Sequence, residues 1–181
     1  MTGPEPAGQR MSFDHRQALK NARSKVLQRL FAGEYVPRSP EDSTVLDLLR
    51  REGGDEEANA FGDRLFAGIQ ARLPEIDAVM LNLSQGWSID RMARIDRNIL
   101  RIGLWEILYE PGIPFRVSVH EALELAHLFS EPEAVAFING ILHEAAVRNV
   151  PEKGPYGHPP AKISGQGSIG KALTDIARHR T

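Results

Sequence analysis

Apolar residues recur at helical spacing along the second half of the chain, and polar turns divide this half into three segments. The pattern predicts helices over Ser88–Glu110, Ser118–Phe129 and Ser130–Val147. The first of them carries two neighbouring apolar stripes: Met92, Ile95, Ile99 and Ile102 form one, and Leu100, Leu104 and Leu108 form the other. Stripes this wide are typical of a helix that lies at the centre of a bundle.

Serines mark the predicted beginnings of these three helices. Ser88 is the predicted N-cap of the first, because its hydroxyl can accept a hydrogen bond from a free amide of the first turn. Ser118 stands three residues before Glu121, and Ser130 stands three residues before Glu133. This spacing predicts a capping box at the start of each of the last two helices.

The first half shows the same periodicity with more interruptions. It predicts a helix over residues 14–33 that ends at Gly33, a short helix within residues 43–49, and a longer helical run over residues 55–83. Pro74 should interrupt or kink that run, because proline lacks an amide hydrogen and clashes with the preceding turn. Three glycines lie within apolar helical patterns and predict close helix–helix approach: Gly68, Gly103 and Gly140.

No stretch alternates with a period of two over a convincing length, so the predicted fold class is all-α. The helical domain is predicted to span residues 14–150. The composition predicts a disordered arm over residues 1–13 and a disordered, proline- and glycine-rich tail over residues 151–181. No window approaches 18 apolar residues, which argues against a transmembrane helix. The absence of cysteine fits a reducing cytoplasm.

Charge is distributed unevenly, although the net formal charge is only −2. Residues 10–29 contain six lysines and arginines against one acid, and residues 34–63 contain nine acids against three arginines. A local basic patch can attract phosphates, since surface charges act over roughly 8–10 Å at physiological salt. A solvated helix face is the simpler interpretation of charge alone.

No residue pattern points to catalysis. His120, Glu124 and His127 stand at i, i+4 and i+7, which would place two imidazoles and a carboxylate on one helix face, as zinc requires. Two turns separate the histidines, so capping and surface roles are favoured. The chain contains no nucleophile elbow, zinc-protease motif or dinucleotide fingerprint. We therefore predict a protein that is not an enzyme and needs no cofactor or metal.

The basic N-terminal helix is the candidate binding surface. On a helical wheel, Lys25 and Gln28 lie away from the apolar stripe. Three cations fall nearer to the stripe: Arg16, Lys20 and Arg23. These would face a partner if the start of the helix projects past the core or becomes an arm that orders on RNA. Phe31, at the edge of the stripe, is either a core residue, which is favoured, or a stacking platform for a base.

Four stretches of the chain resemble the NusB family of antitermination factors. They are "ARSKVLQRLF" from Ala22, "FGDRLFAGI" from Phe61, "DRNILRIGLWEIL" from Asp96 and "IPFRVSVHEALELAHLFSEPEAVAFINGILHEAA" from Ile113. The resemblance covers about residues 15–148 and is most specific in the last sixty of them. It implies a bundle of about six to seven helices arranged in two small subdomains.

The resemblance also implies a function. Members of this family bind the boxA segment of leader RNA jointly with the ribosomal protein NusE, within the RNA polymerase antitermination complex that transcribes ribosomal RNA. The RNA-binding positions would be Arg16, Lys20, Arg23, Lys25, Gln28 and Phe31, and the partner-binding positions Glu133 and Phe137. The segment "HRQALKNAR" is a diluted form of the family's arginine cluster, which predicts weaker and less salt-dependent RNA binding.

Two alternatives stay open at this point. In the first, the chain is a protein-interaction module with weak or lost RNA binding. In the second, it is an accessory domain related to ribosomal RNA methyltransferases. It is too short to contain the cofactor-binding domain of such an enzyme as well. The oligomeric state is also open, including a homodimer.

Overall fold

The structure is a computed structural model that describes residues 12–35, 55–84 and 89–149. Over these ranges it contains no strand, which confirms the all-α prediction. The six α-helices described are α1 (Phe13–Tyr35), α2 (Glu56–Ala71), α3 (Leu73–Leu83), α4 (Arg94–Tyr109), α5 (Phe115–Phe129) and α6 (Pro132–Asn149), and a 3-10 turn spans Ile89–Arg91. The helix predicted within residues 43–49, most of the predicted arm and the predicted tail lie outside the described residues.

Helix α4 lies at the centre of the bundle. It contacts each of the other five helices, and every residue from Asn98 to Leu108 is buried. Gly103 allows this packing, because a Cβ atom at this position would lie 2.8 Å from Cδ2 of Leu142 and 3.3 Å from Cβ of Ala122. The predicted central helix and the predicted close approach at Gly103 are both confirmed.

The predicted start of this central helix is wrong. Helix α4 begins at Arg94 and has no side-chain cap, while Ser88 lies outside the described residues. The preceding 3-10 turn is closed by a bond from the Met92 amide to the Ile89 carbonyl, at 3.1 Å. Met92 is buried, and Nη1 of Arg97 donates to the same carbonyl at 3.3 Å. The 3-10 turn, which these bonds close and which buries Met92, therefore takes the place of the predicted first turns of the helix.

Neither predicted capping box forms. Helix α5 begins three residues before Ser118, because Pro114 has an extended backbone and its carbonyl accepts from the Val117 and Ser118 amides. Ser118 is therefore a buried residue inside the helix. Helix α6 begins at Pro132, and the buried hydroxyl of Ser130 has no hydrogen-bond partner among the described residues.

Helix α1 continues two residues beyond its predicted end at Gly33. The reason is a tertiary ion network at Glu34. Its Oε1 accepts from Nη1 of Arg101 at 2.7 Å, and its Oε2 accepts from Nη2 of Arg97 at 2.8 Å. These partly buried charge-assisted bonds outweigh the cost of a helical glycine, which is about 1 kcal/mol.

The long helical run predicted over residues 55–83 is confirmed, together with its interruption. Asp55 caps α2 by accepting hydrogen bonds from the amides of Glu57 and Ala58. The run breaks at Arg72, which has a non-helical backbone, and α3 then begins with Pro74 in its first turn. Proline is tolerated there because the first-turn amides have no partner within the helix.

Candidate nucleic-acid and partner interface

Arg23, one of the predicted RNA-binding residues, lies inside the protein. Its Nε donates to Oε1 of Glu106 at 2.8 Å, and its Nη2 donates to Oε2 at 3.1 Å. The two side chains are only 3% and 1% exposed. Burial raises the pKa of the Glu106 carboxyl, and the Arg23 charge opposes this effect. Arg23 therefore joins α1 to α4, and in this position it does not reach RNA phosphates.

Two further cations of α1 face α2. Nη1 of Arg29 lies 3.1 Å from Oδ1 of Asp63, and its guanidinium lies 3.9 Å from the centre of the Phe66 ring. Lys25, also predicted to bind RNA, is half-buried and lines a small cavity of about 30 Å³ against α2. Much of the positive charge of α1 is thus committed to contacts within the protein.

Arg16 and Lys20 are the predicted RNA-binding cations that remain at the surface. Arg16 is exposed, and no described residue forms an ion pair with it. Nζ of Lys20 lies 3.5 Å from Oε2 of Glu124 on α5, with both side chains substantially exposed. Exposed pairs of this kind contribute only about 0–1 kcal/mol, so Lys20 can exchange this partner for a phosphate at little cost.

Two grooves lie along α1, and each is also lined by residues of α5. The first, here called the Phe13 groove, has a volume of about 630 Å³ and lies between the start of α1, the α4–α5 loop and the start of α5. Lys20 is one of its lining residues. The second, the Phe31 groove, has a volume of about 780 Å³ and is lined by Phe31, Phe129, Asp90 and five residues between 92 and 97. At 1.5 Å per residue, Phe13 and Phe31 are roughly 27 Å apart along α1.

Phe31 has features of both of its predicted roles, which are core residue and stacking platform. It is half-buried and lines the Phe31 groove with Phe129, which leaves part of its ring open to a ligand. Gln28, one turn earlier on α1, is exposed. An aromatic ring beside an exposed amide is a combination that can stack on an unpaired base and bond to its edge.

The predicted partner-binding residues lie on the first two turns of α6. Glu133 is exposed, and Phe137, one turn later, is half-buried. Phe137 lines a third groove of about 500 Å³ with Leu83 and Gly140. A Cβ atom at Gly140 would meet no atom of the described part of the chain within 4 Å. The predicted close helix approach is therefore wrong at Gly140, where the helix faces open space.

Sequence reasoning missed two residues of the Phe13 groove, Phe13 and Arg116. Phe13 was assigned to the predicted arm, yet it is the first residue of α1. Arg116 lies on α5, one hundred positions after Arg16, and lines the same groove. A signal for Arg116 was present, because an arginine between Phe115 and Val117 interrupts an apolar stretch. Only the fold shows that it faces α1.

A side-chain clip holds the start of α1 against the cap of α2. Nδ1 of His15 is hydrogen-bonded to Oδ2 of Asp55, and Nε2 of His15 lies 3.9 Å from Oε2 of Glu57. The bond to Asp55 raises the pKa of His15 above its ordinary value of 6.5, with burial opposing. The same bond lowers the pKa of Asp55 below its ordinary value of 3.8. The clip is therefore an ion pair in mildly acidic solution.

The clip predicts a specific pH dependence. Because the pKa of His15 is raised on folding, its stabilising effect is complete below pH 6.5 and is lost as the pH rises through the folded value. The effect of Asp55 is lost only as the pH falls below 3.8 through its own lowered value. Proton NMR titration should give His15 a midpoint above 6.5. Asp55→Asn, which keeps an N-cap residue, should return that midpoint toward 6.5; equal midpoints would contradict the clip.

Neither a metal site nor a membrane span is found in the described part of the chain. No three histidine, aspartate or glutamate side chains in these ranges are placed to hold a metal ion. Glu124, one of the three residues considered for zinc, contacts Lys20 instead. None of the described helices is long and apolar enough to cross a membrane.

Comparisons with known proteins agree on one family. The model of the NusB family matches residues 20–147. The transcription antitermination protein NusB of Sorangium cellulosum (strain So ce56) is 37% identical over 133 residues, which cover 71% of this chain and 91% of that protein. The protein of the same name from Geobacter sp. (strain M21) is 42% identical over 135 residues, covering 70% and 92%.

Solved structures show the same fold. T. maritima NusB has a TM-score of 0.67 and 31% identity, with 74% of this chain and 93% of that chain covered. NusB in a complex of antitermination factors NusB and NusE with dsRNA has a TM-score of 0.62 and 20% identity, covering 72% and 97%; this likeness concerns the fold alone. The match to the family model and the identity to curated relatives together show that the chain belongs to the NusB family.

Proposed function

We propose that this protein is a transcription antitermination factor that binds boxA-type leader RNA together with the ribosomal protein NusE. The observation that carries the proposal is membership of the NusB family, since the curated relatives are transcription antitermination proteins. A related fold has been solved with NusE and double-stranded RNA. The protein would act by equilibrium binding in the cytoplasm, within the RNA polymerase antitermination complex, and would form or break no covalent bond.

The side of α1 that carries the two grooves supplies suitable chemistry for RNA. Arg16 and Lys20 provide positive charge at the Phe13 groove. Phe31 provides an aromatic ring at the Phe31 groove, and Gln28 provides an exposed amide one turn before it. Cations that neutralise phosphates give affinity, and groups that contact unpaired bases give selectivity. Lys25 remains a candidate at the α1–α2 side, whereas Arg23 supports the surface from inside.

The first turns of α6 supply a suitable surface for NusE. Glu133 offers an exposed carboxylate, and Phe137 offers part of an aromatic ring at the edge of a groove. Aromatic side chains at groove edges are common anchors of protein interfaces. Gly140 lines the same groove, and a Cβ atom added there would meet no atom of the described residues within 4 Å, so the backbone of a partner can approach α6 closely there.

The proposal is tested by titrating a fluorescent boxA-type RNA with the full chain, with and without NusE, at two salt concentrations. We expect binding that strengthens when NusE is present and weakens as salt rises. NusE binding without any RNA binding would instead favour the protein-interaction module. That alternative has one structural observation in its favour, since internal ion pairs occupy Arg23 and Arg29.

A paired substitution identifies the RNA face more closely. Arg16→Ala combined with Lys20→Ala should weaken RNA binding and reduce the slope of log affinity against log salt by about 0.7 per lost contact on a single strand. Arg64→Ala is the matched control, because the Arg64 side chain is 58% exposed on α2 and lines neither groove. An unchanged slope in the double variant would remove Arg16 and Lys20 from the RNA face.

A further inference from the structure

The floor of the Phe13 groove is apolar although it lies at the surface. Leu19, Ile113, Pro114 and Val117 line it. Phe13 stands beside them with 73% of its surface exposed, and Val117 is 41% exposed. Exposing a whole aromatic ring next to further apolar surface costs free energy that burial by a ligand would recover.

The rim of the same groove carries positive charge that the protein leaves uncompensated. Arg16 on α1 and Arg116 on α5 both line it, and neither has an ion-pair partner among the described residues. Most other arginines in these ranges are paired with carboxylates. Glu121 is the acid in this groove, and it is 13% exposed and lies 3.8 Å from Nη1 of Arg23. The charge open to a ligand is therefore positive on both sides.

We propose that the Phe13 groove binds one unpaired nucleotide of single-stranded RNA. The base stacks on Phe13 over the apolar floor, and the phosphates on its two sides contact Arg16 and Arg116. The inference rests on the proposed function and adds to it a base-binding site that the basic face of α1 alone does not provide. Proteins that bind single strands combine an aromatic stacking platform with a basic groove in this way.

Charge and shape favour a nucleotide over other occupants. An apolar peptide would cover the floor but leave both arginines without a counter-charge. A duplex would meet the arginines but would keep its bases stacked and away from Phe13. A nucleotide with an unstacked base has a flat ring that fits the apolar floor, and its flanking phosphates fit the positively charged rim. An acidic peptide with an aromatic residue is the competing outcome of the test.

The first test measures the affinity of the full chain for a single-stranded boxA-type RNA. Phe13→Ala should weaken binding by between about fivefold and a hundredfold, the usual range for loss of one base–aromatic stack. Arg116→Ala should weaken binding and reduce the salt slope by about 0.7. Leu81→Ala and Arg64→Ala are matched controls, since Leu81 is 49% exposed on α3 and Arg64 is exposed on α2, away from both grooves. All four changes are at exposed positions, and thermal melts should confirm that each variant is folded.

The second test separates a stacked base from a general loss of affinity. It uses a series of RNAs, each with one abasic nucleotide. At one position, removal of the base should weaken binding to the wild-type chain but cause little further loss of affinity in the Phe13→Ala variant. If the wild type binds RNA and neither Phe13→Ala nor Arg116→Ala changes the affinity, the proposed nucleotide site is wrong and the proposed function still stands. No RNA binding by the wild type would overturn both. Binding of a fluorescent acidic peptide with one aromatic residue, weakened by Phe13→Ala and not displaced by the RNA, would assign the groove to a protein partner.

Discussion

Replacing Glu106 with glutamine is expected to lower the free energy of unfolding by about 2–4 kcal/mol, because a buried arginine then loses its closest counter-charge and keeps only Glu121, at 3.8 Å. The Arg23–Glu106 pair has two hydrogen bonds, and both side chains are almost completely buried. Glutamine keeps the shape of glutamate but can accept through only one oxygen. Chemical denaturation of wild type and variant, monitored by circular dichroism, measures the difference.

The control for this prediction replaces both partners with apolar residues. Arg23→Met together with Glu106→Met should recover most of the lost stability, since an apolar pair of similar size carries no desolvation cost. A loss below about 1 kcal/mol in Glu106→Gln would contradict the buried pair. The same reasoning affects tests of RNA binding: Arg23→Ala should reduce RNA binding by destabilising the fold, so it is unsuitable as evidence of a phosphate contact.

Replacing Gly68 with alanine is expected to destabilise the protein by about 1–3 kcal/mol, although alanine is the better helix former by about 1 kcal/mol. A Cβ atom at position 68 would lie 2.4 Å from three atoms of the Trp105 ring. Trp105 is 7% exposed on the central helix, so its large ring can shift only by disturbing neighbouring side chains. Thermal unfolding of the variant measures the effect.

Two comparisons make this prediction specific. Gly140→Ala should stabilise the protein by up to about 1 kcal/mol, because helical propensity acts there without a clash. Gly68→Ala should cost less when Trp105→Leu has already removed the ring, which a double-mutant cycle detects. Similar stabilities for Gly68→Ala and Gly140→Ala would contradict the packing of α2 against α4.

Much of the architecture could be predicted because apolar residues at helical spacing mark the face of a helix that is buried. The stripes containing Ile99 and Leu104 identified the central helix, and Pro74 identified the break between α2 and α3. Local cap patterns were less reliable. Ser118 and Glu121 have the spacing of a capping box, but Pro114 starts the helix earlier. Where a helix begins depends on which competing start also buries its neighbours, and short-range patterns do not contain that information.

The candidate site could be predicted only in part. The helical wheel placed Arg16, Lys20 and Arg23 near the apolar stripe, but only Arg23 is buried, and the wheel did not show which cations had acidic partners. Glu106 lies 83 positions after Arg23, so their pairing exists only in the folded protein. The same is true of the Phe13 groove, where α1 and α5 each contribute an arginine. The number of cations along α1 therefore overestimates the positive surface that is open to RNA.

The central claim is most directly tested by mapping the bound surface on the isotopically labelled chain with NMR. Amide signals are recorded for the free protein, after saturation with boxA-type RNA, and after further addition of NusE. The account predicts that RNA shifts signals mainly from Phe13 to Phe31 and from Phe115 to Glu124, and that NusE adds shifts around Glu133 and Phe137. Shifts confined to α2 and α3, or none with either ligand, would contradict it.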